Sequence, residues 1–117
     1  MKKILFVEDE YHFQRKWNEV LGGKALILHA TSISKAEELF ESNPDVAAIV
    51  MDGCVDGGVI DTIPLVKKIR ETFSGPIVAA SSSTTYTNML VEAGCDYRAP
   101  FGDKKAVPRM LVEMFNL

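Results

Sequence analysis

The sequence predicts an α/β fold, a doubly wound parallel sheet of five strands with helices on both faces. Three observations carry this expectation. Short apolar runs alternate with longer amphipathic stretches from one end of the chain to the other, the βα rhythm of a parallel sheet. The runs KILFV and VAAIVM are apolar without alternation, as befits central strands buried on both faces. With 117 residues, 47% apolar and 25% charged, and no repeat or low-complexity tract, the chain suits a single domain over 1–117 with one continuous core. Disorder, coiled coil, collagen-like repeats and a fused output module fit poorly.

The first strand is placed at Lys3 to Val7. A helix over about 10–21 follows, with Phe13, Trp17, Val20 and Leu21 at helical spacing and Gly22-Gly23 as its stop. Ala25 to His29 forms the second strand. Ser34, with Glu37 three residues on, reads as a capping box that opens a helix over 34–42; this helix buries Ala36, Leu39 and Phe40 and ends at Asn43-Pro44. The third strand is Val46 to Met51. Asp61 reads as the N-cap of a helix over 62–73, in which Pro64 is tolerated in the first turn and Leu65, Val66 and Ile69 make the apolar stripe. Pro76 to Ala80 forms the fourth strand, a helix covers 84–93, and the fifth strand is the weakly patterned Asp96 to Ala99. Asp103 resembles a helix cap, but Pro108 would then lie too deep, so the last helix is placed at 106–116 with Gly102 to Lys105 as loop.

In such a sheet the crossovers are right-handed and ligands bind beyond the carboxyl ends of the strands. Those ends carry Glu8-Asp9, Asp52, Ser81 and Ala99-Pro100. With the flavodoxin-like order 2-1-3-4-5, strands one and three are neighbours, and Glu8, Asp9 and Asp52 share one pocket. Three like charges so close need a compensating cation. A hard divalent ion with oxygen ligands, Mg²⁺, is expected, because it binds through one or two carboxylates and keeps waters that a phosphate can displace. For Asp9 alone, a helix N-cap is an equal competitor. Capping does not explain Asp52, since Gly53 follows and no helix starts nearby. Ser81 heads a Ser-Ser-Ser-Thr-Thr run that by type is a polar loop; its place after PIVAA singles it out.

Composition narrows the partners. Thirteen Lys+Arg against sixteen Asp+Glu give a net charge of -3, and the basic clusters (Lys67, Lys68, Arg70; Lys104, Lys105, Arg109) are short and interrupted, so no direct nucleic-acid partner is expected. Cys54 and Cys95 have neither CxxC nor Cys/His spacing, which suits a reducing cytoplasm. MKKILFVEDE is too short in its apolar part for a signal sequence or membrane span. The expectation is a soluble cytoplasmic protein.

ILFVEDE, AAIVMDG, PIVAAS and AGCDYRAPF, in this order and at these intervals, resemble the receiver domain of two-component response regulators over the whole chain. Length and layout resemble the single-domain chemotaxis type. The resemblance implies that Asp52 is the phosphoacceptor and that Glu8 and Asp9 are the acidic pair holding Mg²⁺, with Asp9 the likelier direct ligand of the two. It further implies that the backbone carbonyl of Cys54 is a metal ligand, that Ser81 is the switch hydroxyl and that Tyr97 is the aromatic that turns inward on activation. The implied protein is a phosphorylated signalling module and not an enzyme. Its partners would be a histidine kinase or phosphotransfer protein and a downstream protein target.

The sequence departs from the family at one position of consequence. Where the family has a lysine before the proline after strand five, the chain reads Arg98-Ala99-Pro100, and alanine cannot donate to a phosphoryl oxygen. The loop from Asp52 to Asp61 also looks longer than the family's, and the segments from Ser81 to Gly94 and from Gly94 to Pro100 look shorter. Lys104 or Lys105 is the candidate substitute cation, against the competing reading of a solvated pair before a helix. Strand alternation points Arg98 away from Ala99's direction. The alternative function is a pseudo-receiver, an interaction module that does not switch by phosphorylation. A phosphohydrolase resembling haloacid dehalogenases fails on detail, because its second aspartate, two residues past the nucleophile, is here Cys54. His12 and His29 read as structural, and the Cys54 side chain as small, buried and inert.

Overall fold

A computed structural model describes residues 1–117. Five strands, β1 (Lys2–Val7), β2 (Ala25–Ala30), β3 (Ala48–Met51), β4 (Ile77–Ala79) and β5 (Tyr97–Arg98), alternate with α1 (His12–Leu21), α2 (Ile33–Ser42), α3 (Ile63–Arg70), α4 (Thr84–Ala93) and α5 (Val107–Phe115). Two 3-10 turns, Pro100–Gly102 and Lys104–Ala106, join β5 to α5. Every strand pair is parallel and the order is β2-β1-β3-β4-β5, the class and order that the sequence predicts. No helix is long and apolar enough to cross a membrane.

The unbroken apolar runs serve a sheet covered on both sides. From β1, Leu5 and Val7 enter one core layer with Ile49, Met51, Ile77, Leu65, Val66, Ile69 and Leu90, beneath α2, α3 and α4. Ile4 and Phe6 face the other way, onto Trp17, Leu21, Val50, Val78, Val107 and Leu111, beneath α1 and α5. Phe6 stacks on Trp17 with ring centroids 4.1 Å apart. Each such large side chain contributes about 1.5–3 kcal/mol by leaving water.

Register places the site. Val7 pairs with Met51, Met51 with Ala79 and Ala79 with Arg98, so β1, β3, β4 and β5 end side by side. The next residues, Glu8, Asp52, Ala80-Ser81 and Ala99, come out on one edge.

Several local features differ from the sequence expectation. The N-cap of α2 is Ser32, whose hydroxyl accepts the Lys35 N–H at 3.2 Å; Ser34 lies inside the helix, and Glu37 pairs with Lys68 instead. Ile33 packs on the core, which draws the cap two residues earlier. Asp61 does not cap α3: Thr62 holds that position without a side-chain cap bond, and the Asp61 carboxylate bonds elsewhere. That helix ends at Arg70 and not at 73, Thr72 and Phe73 continuing only as turn contacts to Ile69. Strands β3, β4 and β5 are shorter than expected. Residues 104–106, read in part as loop, form a 3-10 turn that Asp103 caps through the Lys105 N–H, and Pro108 falls in the first turn of α5, where its missing N–H costs nothing.

Candidate functional site

The parallel ladder carries two acids into contact. The Glu8 N–H donates to Ala30 O and the Asp52 N–H to Val7 O, at 2.9 and 3.0 Å, so each acid continues the ladder while its side chain leaves the sheet edge. Both are buried, whereas Asp9 is exposed. One carboxylate oxygen of each of Glu8, Asp9 and Asp52 lies within 4.8 Å of the others. This set of hard oxygen donors, with Asp9 on the solvent side, fits a divalent cation. Asp52 Oδ1 accepts the Gly53 N–H at 2.7 Å, and Glu8 Oε1 accepts the Glu10 N–H at 3.2 Å.

A cation from the chain itself lies among them. Lys104 Nζ donates to Glu8 Oε2 at 2.9 Å and stands 3.2 Å from Asp52 Oδ2, with only 11% of its side chain exposed. Its turn packs against α1, and the ammonium sits 5.0 Å from the Phe13 ring centroid, a cation–π distance. Lys105 is exposed and makes no side-chain bond to the acids. Ala99 is buried, and Arg98 turns outward to Asn88, donating at 2.6 Å. Of the expected candidates, the structure brings Lys104 to the acids and leaves Lys105 and Arg98 away from them.

Burial dominates the electrostatics. It pushes the Glu8 carboxyl up to about 8, with the Asp52 charge adding to the rise and the Lys104 bond opposing it. Asp52 is likewise raised, by burial, against the pull of Lys104 and the Gly53 N–H. Burial alone would lower the Lys104 ammonium; the bond to Glu8 and the charge of Asp52 outweigh it and hold it above its ordinary value. An acid pocket with a single internal ammonium therefore favours added positive charge.

Ser81 lies at the end of the next strand, buried, its Oγ accepting the Ser83 N–H at 3.1 Å. Asp52, Ser81 and Gly53 are brought close: a Cβ on Gly53 would stand 3.2 Å from Tyr86 Cβ and 3.5 Å from Ser81 Oγ. Asp9, Asp52, Cys54, Ser81, Tyr86 and Lys104 line one open pocket. Cys54 is half-buried rather than buried. Tyr97 is exposed on the sheet's outer strand, outside this pocket. His29 matches its structural reading, bonding Glu8 O at 2.8 Å and packing edge-on against Trp17.

No family model and no curated protein matches the sequence. Solved structures do match its fold. The BeF3-activated N-terminal receiver domain of RstA from Klebsiella pneumoniae aligns with a TM-score of 0.76 at 22% identity, over 98% of this chain and 96% of that one. A two-component response regulator from Clostridium difficile gives 0.79 at 21% identity, over 99% and 97%. The chain has the fold of response-regulator receiver domains. The Mn²⁺-bound form of response regulator Rcp1 is similar too, with a TM-score of 0.76 at 16% identity over 98% and 94%.

Within this receiver fold, two residues bear on the site that sequence reasoning did not place there. Thr62, wholly buried, donates its hydroxyl to Asp52 O at 2.6 Å. Asp61 accepts the Val55 and Asp56 N–H groups at 3.0 and 2.8 Å. The signal available was an Asp-Thr pair closing a Gly-rich loop, but the same pair also spells a helix start.

Proposed function

We propose that residues 1–117 form one phosphoacceptor receiver domain of a two-component system. It takes a phosphoryl group onto Asp52 from a histidine kinase or phosphotransfer protein, with Mg²⁺, and then offers an altered surface to a protein target. One observation carries this reading: Asp52 is buried beside a second acid on the adjacent strand end, with an ammonium 3.2 Å away and the Ser81 hydroxyl at the next strand end.

In the transfer, an Asp52 oxygen forms a bond to phosphorus as the bond from phosphorus to the donor's imidazole nitrogen breaks, the electron pair leaving with the imidazole. The product is an acyl phosphate. Glu8, Asp9, Asp52 and the Cys54 carbonyl are the residues that would hold Mg²⁺, which supplies neutralisation of the phosphoryl charge when bound. Lys104 supplies the second cation that Ala99 lacks, as a charge-assisted donor to a phosphoryl oxygen. Ser81 Oγ accepts from Ser83, so its own O–H stays available to a further oxygen. The phosphoryl group adds about 1.5–2 negative charges, enough to draw Ser81 and the start of α4 toward Asp52.

Intact-mass measurement after incubation with acetyl phosphate tests this. The parent should gain one phosphoryl mass with Mg²⁺ and none in EDTA, and Asp52→Asn should gain none. A parent that stays unmodified with Mg²⁺ overturns the reading in favour of an interaction module that does not switch by phosphorylation.

A further inference from the structure

We propose that Asp61 and Thr62 are positioning residues, which fix from the far end of the β3–α3 loop the backbone that carries Asp52 and the Cys54 carbonyl. The inference rests on the phosphoacceptor reading above and assigns two residues to it.

The loop closes at its base. The Asp61 N–H donates to Gly53 O at 2.9 Å, and Thr62 Oγ1 donates to Asp52 O at 2.6 Å with Gly53 O at 3.2 Å. Inside the loop the two Asp61 oxygens divide the work: Oδ1 accepts from Val55 and Oδ2 from Asp56. The Val55 N–H and the Cys54 C=O belong to one planar peptide unit, and no peptide bond in the chain is cis. A trans peptide points its C=O opposite to its N–H. Holding the Val55 N–H on Asp61 therefore aims the Cys54 carbonyl away from Asp61.

The loop turns elsewhere. Gly57 (φ 126°) and Gly58 (φ 64°) adopt backbone angles that favour glycine, and the Val59 N–H donates back to Gly57 O at 2.8 Å, so the turn forms at the exposed tip. The bonds of the base involve none of the tip residues 57–59. Neither residue spends its side chain on α3, whose first turn has no side-chain cap.

Calorimetric Mg²⁺ titration of the parent, Asp61→Asn, Thr62→Val and Thr62→Ser, each with a urea unfolding curve, tests the proposal. Asn presents one oxygen to two amides, and Val presents a methyl to two buried carbonyls. Mg²⁺ affinity should fall about 10-fold or more in both, as for residues that orient metal ligands, while Thr62→Ser binds like the parent. If the parent binds and Asp61→Asn and Thr62→Val bind equally well, losing only stability, the positioning role is overturned and the phosphoacceptor reading stands. A parent that binds no Mg²⁺ overturns both. Should Thr62→Val not fold, the Mg²⁺-induced shift of the Cys54 carbonyl carbon in the parent and in Asp61→Asn decides: equal shifts overturn the proposal.

Discussion

Glu8 and Asp52 illustrate how much of the site's behaviour is set by burial of like charge. The folded state holds the Glu8 proton up to about pH 8, whereas an exposed carboxyl releases it near 4.5. Between those values the folded state binds more protons than the unfolded chain, so metal-free stability falls as pH rises through the window. Each pH unit inside it costs up to about 1.4 kcal/mol for one group. Urea unfolding in EDTA from pH 5 to pH 8, values chosen to span that window, should show this decline in the parent and a flatter profile in Glu8→Gln; a parent whose stability rises with pH contradicts the raised carboxyl. At this scale the three acids were legible, because strand ends adjacent in a parallel sheet bring the next residues together. Which lysine joins them was not, because Lys104 and Lys105 are equal in sequence and only the phase of a 3-10 turn separates them. Asp61 misled for a related reason: an aspartate before a helix satisfies amides ahead of it or behind it, and sequence does not say which.

The elements themselves were legible where apolar periodicity was strong and ambiguous at their ends. The α2 start shows why. Ser32 and Ser34 both precede the apolar stripe, and the Glu37 spacing favours Ser34 as cap, yet core packing of Ile33 selects Ser32. Ser32→Ala should cost about 1 kcal/mol, the usual value of a lost cap, and Ser34→Ala a few tenths at most. Thermal unfolding of the two variants measures this, and a larger loss from Ser34→Ala would return the cap to Ser34. Strand β5 is short for a different reason: it sits at the sheet edge with exposed Tyr97 and Arg98, so it lacks the apolar alternation that marks a strand.

Across the whole molecule the two ends of the sheet do different work. At the amino ends Arg70 is fully engaged, donating to Gly94 O, Phe73 O and Gly75 O at 2.9, 3.0 and 2.7 Å and pairing with Asp96. Asp96 also accepts the Ile77 N–H, so α3, the β4 start and the α4–β5 turn are tied together there. The carboxyl ends instead collect acids that only Lys104 partly neutralises, the kind of stability cost expected where a site must accept a ligand. Topology was legible from the alternation of runs, but the link from the last strand's end back to Glu8, across most of the chain, was not. That link is the centre of the proposal: Lys104 stands among the acids in space, and we propose it as the cation that Ala99 does not give in sequence. Beryllium fluoride affinity in Mg²⁺, followed by amide shifts at Ser81, tests it most directly in the parent, Lys104→Ala, and Lys104→Ala combined with Ala99→Lys. Affinity should fall about 10- to 100-fold in Lys104→Ala, the worth of one charge-assisted bond, and recover when lysine is restored at 99; Lys104→Ala binding as tightly as the parent would contradict it.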